Sequence, residues 1–338
     1  MTDDGRGGAG GLALDSLASA TFLHRLTGHG ALADDAREII VASGSDRIRF
    51  LNGIVTGNVA GTAVGAGCRA TLLTVKAHVT AEMRIFPRAN DALLVVPKGL
   101  GDSTATALSR YAIMDDFAAA QAPGLQLFAI LGPESQTHLA AAGYDPRDLA
   151  GAALWSHRDV EGPAGPLWMA RVHSLGMDGY WIAAPADVVD RLAKVLTPGG
   201  LATLSPEAAN VARVVAFEPV WGKEITEDYF PMEVGLGDAI DYQKGCFLGQ
   251  EPIVRIRDRG HLNRRLVQLE MSDKRVPELG ATVATETKPK AGTLTSVAPI
   301  DGTRVLALGI VHVSAALDGH VRVDLGDGNT IEARIVRE

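Results

Sequence analysis

The run Lys244-Gly245-Cys246-Phe247-Leu248-Gly249-Gln250-Glu251 places a cation, a thiol, two glycines, an amide and a carboxylate within eight residues. A core strand or helix does not use that mixture, because burying Lys and Glu unpaired is costly. Glycines allow tight turning and close backbone approach. N–H groups freed by such a turn can receive an anion, and Lys244 adds a full charge beside them. Glu251-Pro252 reads as the first turn of a helix, where proline is tolerated. The spacing therefore predicts a loop entering a helix, with Cys246 near a positive N-terminus. That environment lowers a thiol's pKa and makes it reactive. A lone cysteine is as readily a small buried hydrophobe, and the residue types leave both readings open.

The chain of 338 residues is long enough for two or three domains and a sizeable core. Its hydrophobic content of 46% and charged content of 21% are ordinary for a soluble globular protein. A net charge of −8 argues against a general nucleic-acid coat, so direct nucleic-acid binding is not expected. Arg255, Arg257, Arg259, Arg264 and Arg265 nevertheless crowd together, offset nearby only by Asp258. That run is either a solvated face or a patch for a polyanionic ligand. The two cysteines, Cys68 and Cys246, imply no disulfide framework and cannot supply four-cysteine ligation of an iron–sulfur cluster. The nine histidines show no metal-type spacing, so no metal site is expected. No positive secretory leader opens the chain and no stretch is long enough for a membrane helix, which points to the cytoplasm.

The eight residues from Lys244 fill every position of the pattern K-G-C-[YF]-x-G-Q-E. They resemble the signature of the YgfZ family, folate-binding relatives of the glycine-cleavage T-protein (aminomethyltransferase) linked to iron–sulfur cluster assembly and repair. The resemblance implies an α+β, GcvT-like fold, with two related αβ lobes around a central channel and a small C-terminal β-barrel. It implies tetrahydrofolate or a derivative as cofactor. Iron–sulfur proteins or their assembly machinery would be partners, with a link through them to tRNA modification. Cys246 and Lys244 would be the chemical groups. Gly245, Gly249, Gln250, Glu251, Glu233, Trp221, Tyr180, Glu82 and Arg255 would surround the ligand. The alternative is a folate-dependent C1-transfer enzyme like the T-protein itself.

The elements that must position these residues follow in chain order. Residues 1–30 read as a Gly-rich segment and a helix bearing Leu14, Leu17, Ala18, Phe22, Leu23 and Leu26. A first lobe is predicted over 31–118. It opens with a strand at 38–42 and a helix introduced by Gly44-Ser45-Asp46, which offer caps. The run Gly44-Ser45-Asp46-Arg47-Ile48-Arg49-Phe50-Leu51 resembles the family's opening "G-x-D-R-x-x-F-L". Strands follow at 69–75, 79–86 and 92–96, then a helix at 102–111 capped by Asp102 or Ser103. The segment Ala77-His78-Val79-Thr80-Ala81-Glu82 stands where the T-protein carries "G-x-x-x-D-D". An aspartate of that pair is associated there with aminomethyl transfer, so Ala81 puts the chemistry in doubt.

A second lobe is predicted over 119–262, interleaved with the first. Its strands are 125–131, 169–173 and 180–183, with helices at 134–142 and 187–196 and a further strand at 211–217. Gly176-Met177-Asp178-Gly179 is predicted to turn between two of the strands. It resembles "G-E-x-G-[FY]-E" of the T-protein, whose glutamates have become Met177 and Trp181. Glu218-Pro219-Val220-Trp221 and Pro231-Met232-Glu233-Val234-Gly235-Leu236 resemble the family's approach to the signature. Trp221 as core and Glu233 as a cap are equally open readings. Beyond 263, short strands with tight turns, among them Asp327-Gly328, predict the barrel.

Overall fold

The computed structural model describes residues 20–26, 36–196, 201–326 and 328–338. The first strand, β1, is Phe22–Arg25. It replaces the C-terminal part of the expected N-terminal helix, whose Leu14, Leu17 and Ala18 lie outside the described residues. β1 pairs antiparallel with Leu125–Leu131 and parallel with Ala202–Thr203, so pairing partners distant in sequence override its helical spacing.

The first sheet contains β2 (Arg37–Ser43), β3 (Cys68–Leu73), β4 (Val79–Pro87), β5 (Ala92–Pro97) and β6 (Ala118–Gln121), in the order β3-β4-β5-β2-β6. Because successive side chains point to opposite faces, Ala81, Met83 and Ile85 of β4 pack with the helices α1 (Arg47–Ile54) and α2 (Gly101–Tyr111). Phe86, from the other face of the same strand, packs with the second sheet. Neither helix is capped as expected. The Asp46 side chain accepts from the Asp116 backbone, and α2 is preceded by Leu100.

The second sheet runs β11-β1-β7-β10-β9-β8. Its further strands are β7 (Leu125–Leu131), β8 (His157–Val160), β9 (Leu167–Ser174), β10 (Met177–Pro185) and β11 (Ala202–Thr203). Helices α3 (Ser135–Ala141), α4 (Arg147–Ala150) and α5 (Ala186–Leu196) accompany it. The β9–β10 turn is tighter than predicted. Ser174 pairs with Met177, so only Leu175 and Gly176 turn, both with positive φ. Gly179 lies inside β10, where a Cβ would stand 2.1 Å from the Ile130 carbonyl oxygen.

The expected strand at 211–217 is instead the last half of a helix, α6 (Pro206–Ala216). Ser205 caps it by accepting from the Ala208 N–H, and Pro206 occupies the first turn. After two short 3-10 turns and α7 (Gln250–Arg259), six strands close a barrel in the order β12-β15-β14-β13-β16-β17. These are β12 (Arg264–Met271), β13 (Thr282–Ala284), β14 (Gly292–Ile300), β15 (Arg304–His312), β16 (His320–Asp324) and β17 (Thr330–Arg337), with a short α8 (Val313–Asp318). The α+β architecture, with two sheet-and-helix lobes and a terminal barrel, is as expected. Asp327, half of the predicted hairpin signal, lies outside the described residues. Among the described residues no helix is long and apolar enough to cross a membrane.

Candidate functional site

Between the sheets, β2, β3 and β4 present Arg37, Arg69 and Arg84 to a cavity of about 220 Å3. Arg69 and Arg84 are direct cross-strand partners. Like charges so placed repel, and acids offset them. Glu82, two residues before Arg84 and on the same face, is paired with both Arg37 and Arg84. Asp238, on the segment leading to the signature, takes Arg69 in a fork of 2.8 and 2.9 Å. Burial alone would raise the Glu82 carboxyl, but the combined field of Arg37, Arg84 and Arg69 outweighs it and holds the pKa far below the carboxylate range. Burial draws Arg84 down to about 10 against the pull of Glu82, and it remains a cation at neutral pH.

Two tryptophans form the facing wall. Trp155 and Trp181 have ring centroids 5.5 Å apart, and the Arg84 guanidinium lies 5.3 Å from the Trp155 ring centre. Trp155, Leu175 and Phe217 all line the cavity with positive φ of 70°, 55° and 66°. Left-handed backbone in bulky residues is strained and collects at ligand sites. Glu218 also borders the cavity, but its oxygens accept from the Leu175 and Gly176 N–H groups at 2.9 and 3.0 Å. The Nε atoms of Arg69 and Arg84 and the Nε1 of Trp181 are buried without an acceptor.

A second, open cleft of about 510 Å3 adjoins the cavity, with Arg69 and Asp238 lining both. Cys68 borders this cleft with Asp241, Tyr242 and Gln243, the residues just before the signature. Burial pushes the Cys68 thiol pKa up, while a hydrogen bond with Thr62 and the charge of Lys244 pull it down.

The signature is a loop entering α7 with Glu251 and Pro252 in its first turn, as the spacing predicts. Lys244 Nζ donates to the carbonyls of Asn52, Val55 and Gly57 at 2.6, 2.6 and 2.7 Å. The ammonium thus closes the C-terminal end of α1, where carbonyls lack helical partners. Burial lowers its pKa to about 8, with Cys68 and Asp241 opposing, so it is still mostly cationic at neutral pH. Cys246 is exposed and is not among the residues lining the central cavity. Phe247 anchors the loop by burying among Leu73, Val79 and Ile253.

Gly249 has φ +77° and precedes α7, and a Cβ there would stand 2.6 Å from the Thr74 carbonyl oxygen. Gly245 has open space around it. Gly249→Ala is therefore expected to lose about 2 kcal/mol, measured by urea unfolding, whereas Gly245→Ala should stay within about 0.5 kcal/mol.

Several expected ligand contacts have other roles. Glu233 is 2% exposed, accepts from the Phe230 N–H at 3.1 Å and pairs with Arg264, so the capping reading holds. Tyr180 is buried on the helix side of the second sheet, and its neighbour Trp181 takes the channel side. Trp221 packs at the edge of the apolar cluster that joins the signature to the barrel. Glu251 and Arg255 pair with each other at 2.8 Å on the exposed face of α7, and the Gln250 N–H closes a turn onto Phe247. Arg257, Arg264 and Arg265 likewise have acidic partners in Asp258, Glu233 and Glu338, which neutralises much of the basic run. Glu82 is brought to the site; Arg37, Arg69, Arg84 and Trp155 were not foreseen, and Trp181 was read only as a lost glutamate. Among the described residues no cluster of His, Cys, Asp or Glu could hold a metal ion.

Comparison with known proteins bears on this geometry. An Arabidopsis thaliana chloroplastic protein, provisionally named a transferase, is 26% identical over 285 residues, covering 83% of this chain and 65% of its own length. The aminomethyltransferase of Bacillus velezensis is 25% identical over 306 residues, covering 88% of this chain and 82% of its own. The chain thus spans just under two thirds of the first relative and most of the second. The crystal structure of glycine cleavage system aminomethyltransferase T from Bartonella henselae superposes with a TM-score of 0.81 over 94% of this chain and 85% of that one, at 21% identity. That likeness establishes the GcvT-like fold. The GCVT N-terminal domain matches residues 35–244, well over half of the chain and all the arginines that line the cavity, and the chain belongs to that family.

Proposed function

We propose that this chain binds tetrahydrofolate or a derivative in the central cavity and assists iron–sulfur cluster assembly or repair, with Cys246 as its working thiol. The observation that carries the reading is a cavity walled by Trp155 and Trp181 on one side and by Arg37, Arg69 and Arg84 on the other. Flat aromatic ligands with anionic tails suit such a lining. The YgfZ assignment rests on the signature, most of which lies past the end of the matched family region. The exposed Cys246 is accessible to a partner protein. Two free cysteines, neither in a disulfide, suit a reducing compartment such as the cytoplasm.

Aminomethyl transfer, the activity named for the Bacillus velezensis relative, is the second reading. It needs a group able to move a proton. Ala81 faces the helical layer and has none, and Glu82 is fixed as a carboxylate between two arginines. A carboxylate with so low a pKa is a weak base. The lining residues thus favour binding without transfer, while the name of the Bacillus velezensis relative favours transfer.

Calorimetric titration with tetrahydrofolate should give saturable binding, and no heat at millimolar ligand would remove the folate reading. Turnover of an aminomethylated carrier would move the chain to the second reading. Cys246→Ser should unfold within about 0.5 kcal/mol of the parent. It should also fail to restore a cluster-dependent enzyme in cells lacking the protein, and full restoration would exclude the thiol.

A further inference from the structure

We infer that the C-terminal barrel shapes the central cavity from outside it. Gln268 and Arg337, neither of which lines the cavity, are positioning residues for the part of its wall made by Leu175, Phe217 and Glu218. The consequence for affinity rests on the ligand-binding reading above, whereas the positioning is a property of the ligand-free chain.

The last turn of α6 ends against the barrel. In β12, Val267 and Leu269 point into the barrel, so Gln268 between them points out of it. Its Nε2 donates to the Val214 and Val215 carbonyls at 2.5 and 3.2 Å. Arg337 of β17 donates from Nη1 to the Ala216 carbonyl at 3.0 Å, and its guanidinium lies 5.4 Å from the centre of the Phe217 ring. Carbonyls in the last turn of a helix lack helical partners, and here the barrel brings donors to three in succession. Arg213, on the preceding residue, donates to Ser296 of β14 at 2.6 Å, and both side chains are buried.

The residues that follow the helix are cavity wall. Phe217 turns the chain with φ +66°, a strained conformation for a bulky residue that its surroundings must hold. Glu218 comes next, and its oxygens accept from the Leu175 and Gly176 N–H groups. The same turn rests on α6, since a Cβ on Gly176 would stand 3.2 Å from the Ala216 Cβ. A shift at Ala216 therefore moves the Phe217 backbone, the Glu218 carboxylate and the Leu175–Gly176 turn together. A ligand that fits one position of this wall favours the docked barrel, and the docked barrel favours the ligand to the same degree.

The test compares Arg337→Ala, Arg337→Lys and Gln268→Met in the full chain, by hydrogen exchange without ligand and by titration with tetrahydrofolate. Arg337 is exposed, so its replacement leaves the barrel folded. Arg337→Ala and Gln268→Met should each speed exchange of the Leu175 amide about tenfold, with the β7 amides unchanged. Arg337→Lys keeps a cation and a donor and should restore most of the protection. Equal exchange at Leu175 in parent and Arg337→Ala overturns the inference. So does a rise shared equally by β7, because that reports general loosening and not a positioned wall. Should Gln268→Met fail to fold, Arg337→Ala decides alone. Tetrahydrofolate should bind Arg337→Ala about threefold more weakly than the parent and should slow Leu175 exchange in the parent. Equal affinity for the two proteins overturns the inference while the folate reading stands. If tetrahydrofolate binds neither, the folate reading falls, and exchange at Leu175 still decides for or against the barrel.

Discussion

Glu82→Gln is expected to destabilise the fold by about 3–5 kcal/mol, because it removes the buried carboxylate that Arg37 and Arg84 share. Glu82 is 1% exposed, and its two oxygens are divided between Arg37 and Arg84. Glutamine can offer one carbonyl oxygen to one arginine, and its NH2 group then faces the other. Urea unfolding should show a lower midpoint with an unchanged slope, since the surface exposed on unfolding is the same. The pH dependence has a definite sign. The folded pKa of Glu82 lies below the ordinary value of 4.5, so its contribution is complete above that value and is lost as pH falls toward the folded pKa. The parent should therefore lose stability progressively below about pH 4.5, and the glutamine variant should show a shallower acid limb. A loss under about 1 kcal/mol would mean that water reaches the arginines and screens them.

The ease of reading the sequence depended on how local each signal was. β7, at Leu125–Leu131, is an apolar run stopped by Gly132-Pro133, and its limits coincide with the prediction. The barrel strands were legible from their spacing and turn residues. The segment 211–217 was misread because Val211, Val214 and Val215 favour strands in isolation. The deciding signal lay upstream, in the Ser205-Pro206 start that fixes α6. β1 could not be read locally at all, since its pairing residues lie more than a hundred positions away.

The candidate site followed the same rule. Glu82 and Arg84, an acid and a base two apart on a strand, share a face, and that local clue was available. Arg37, Arg69 and Trp155 come from separate elements, and only the sheet order brings them to one cavity. The signature was visible as a motif while the role of its lysine was not. Backbone carbonyls at 52, 55 and 57 leave no mark in the sequence.

Lys244→Met should cost about 3 kcal/mol, against no measurable cost for Cys246→Ser. Each of the three carbonyls receives a charge-assisted hydrogen bond, and two of the three lie at the C-terminal end of α1, where the helix dipole also favours a cation. Methionine fills similar volume but removes the donor from the Asn52 and Val55 carbonyls, while Gly57 keeps the Val59 N–H at 3.1 Å. Arginine retains the charge, yet its planar fork cannot converge on three acceptors as an ammonium does, so Lys244→Arg should recover only part of the loss. The consequence for function is specific. If Lys244 acts by holding α1 against the signature loop, Lys244→Met and Cys246→Ser will be additive in stability. The activity lost in Lys244→Met should then return at lower temperature, where the variant is folded, while that lost in Cys246→Ser should not. A Lys244→Met protein as stable as the parent and inactive at every temperature would instead make the lysine a chemical partner of the thiol, and the three-carbonyl cap incidental.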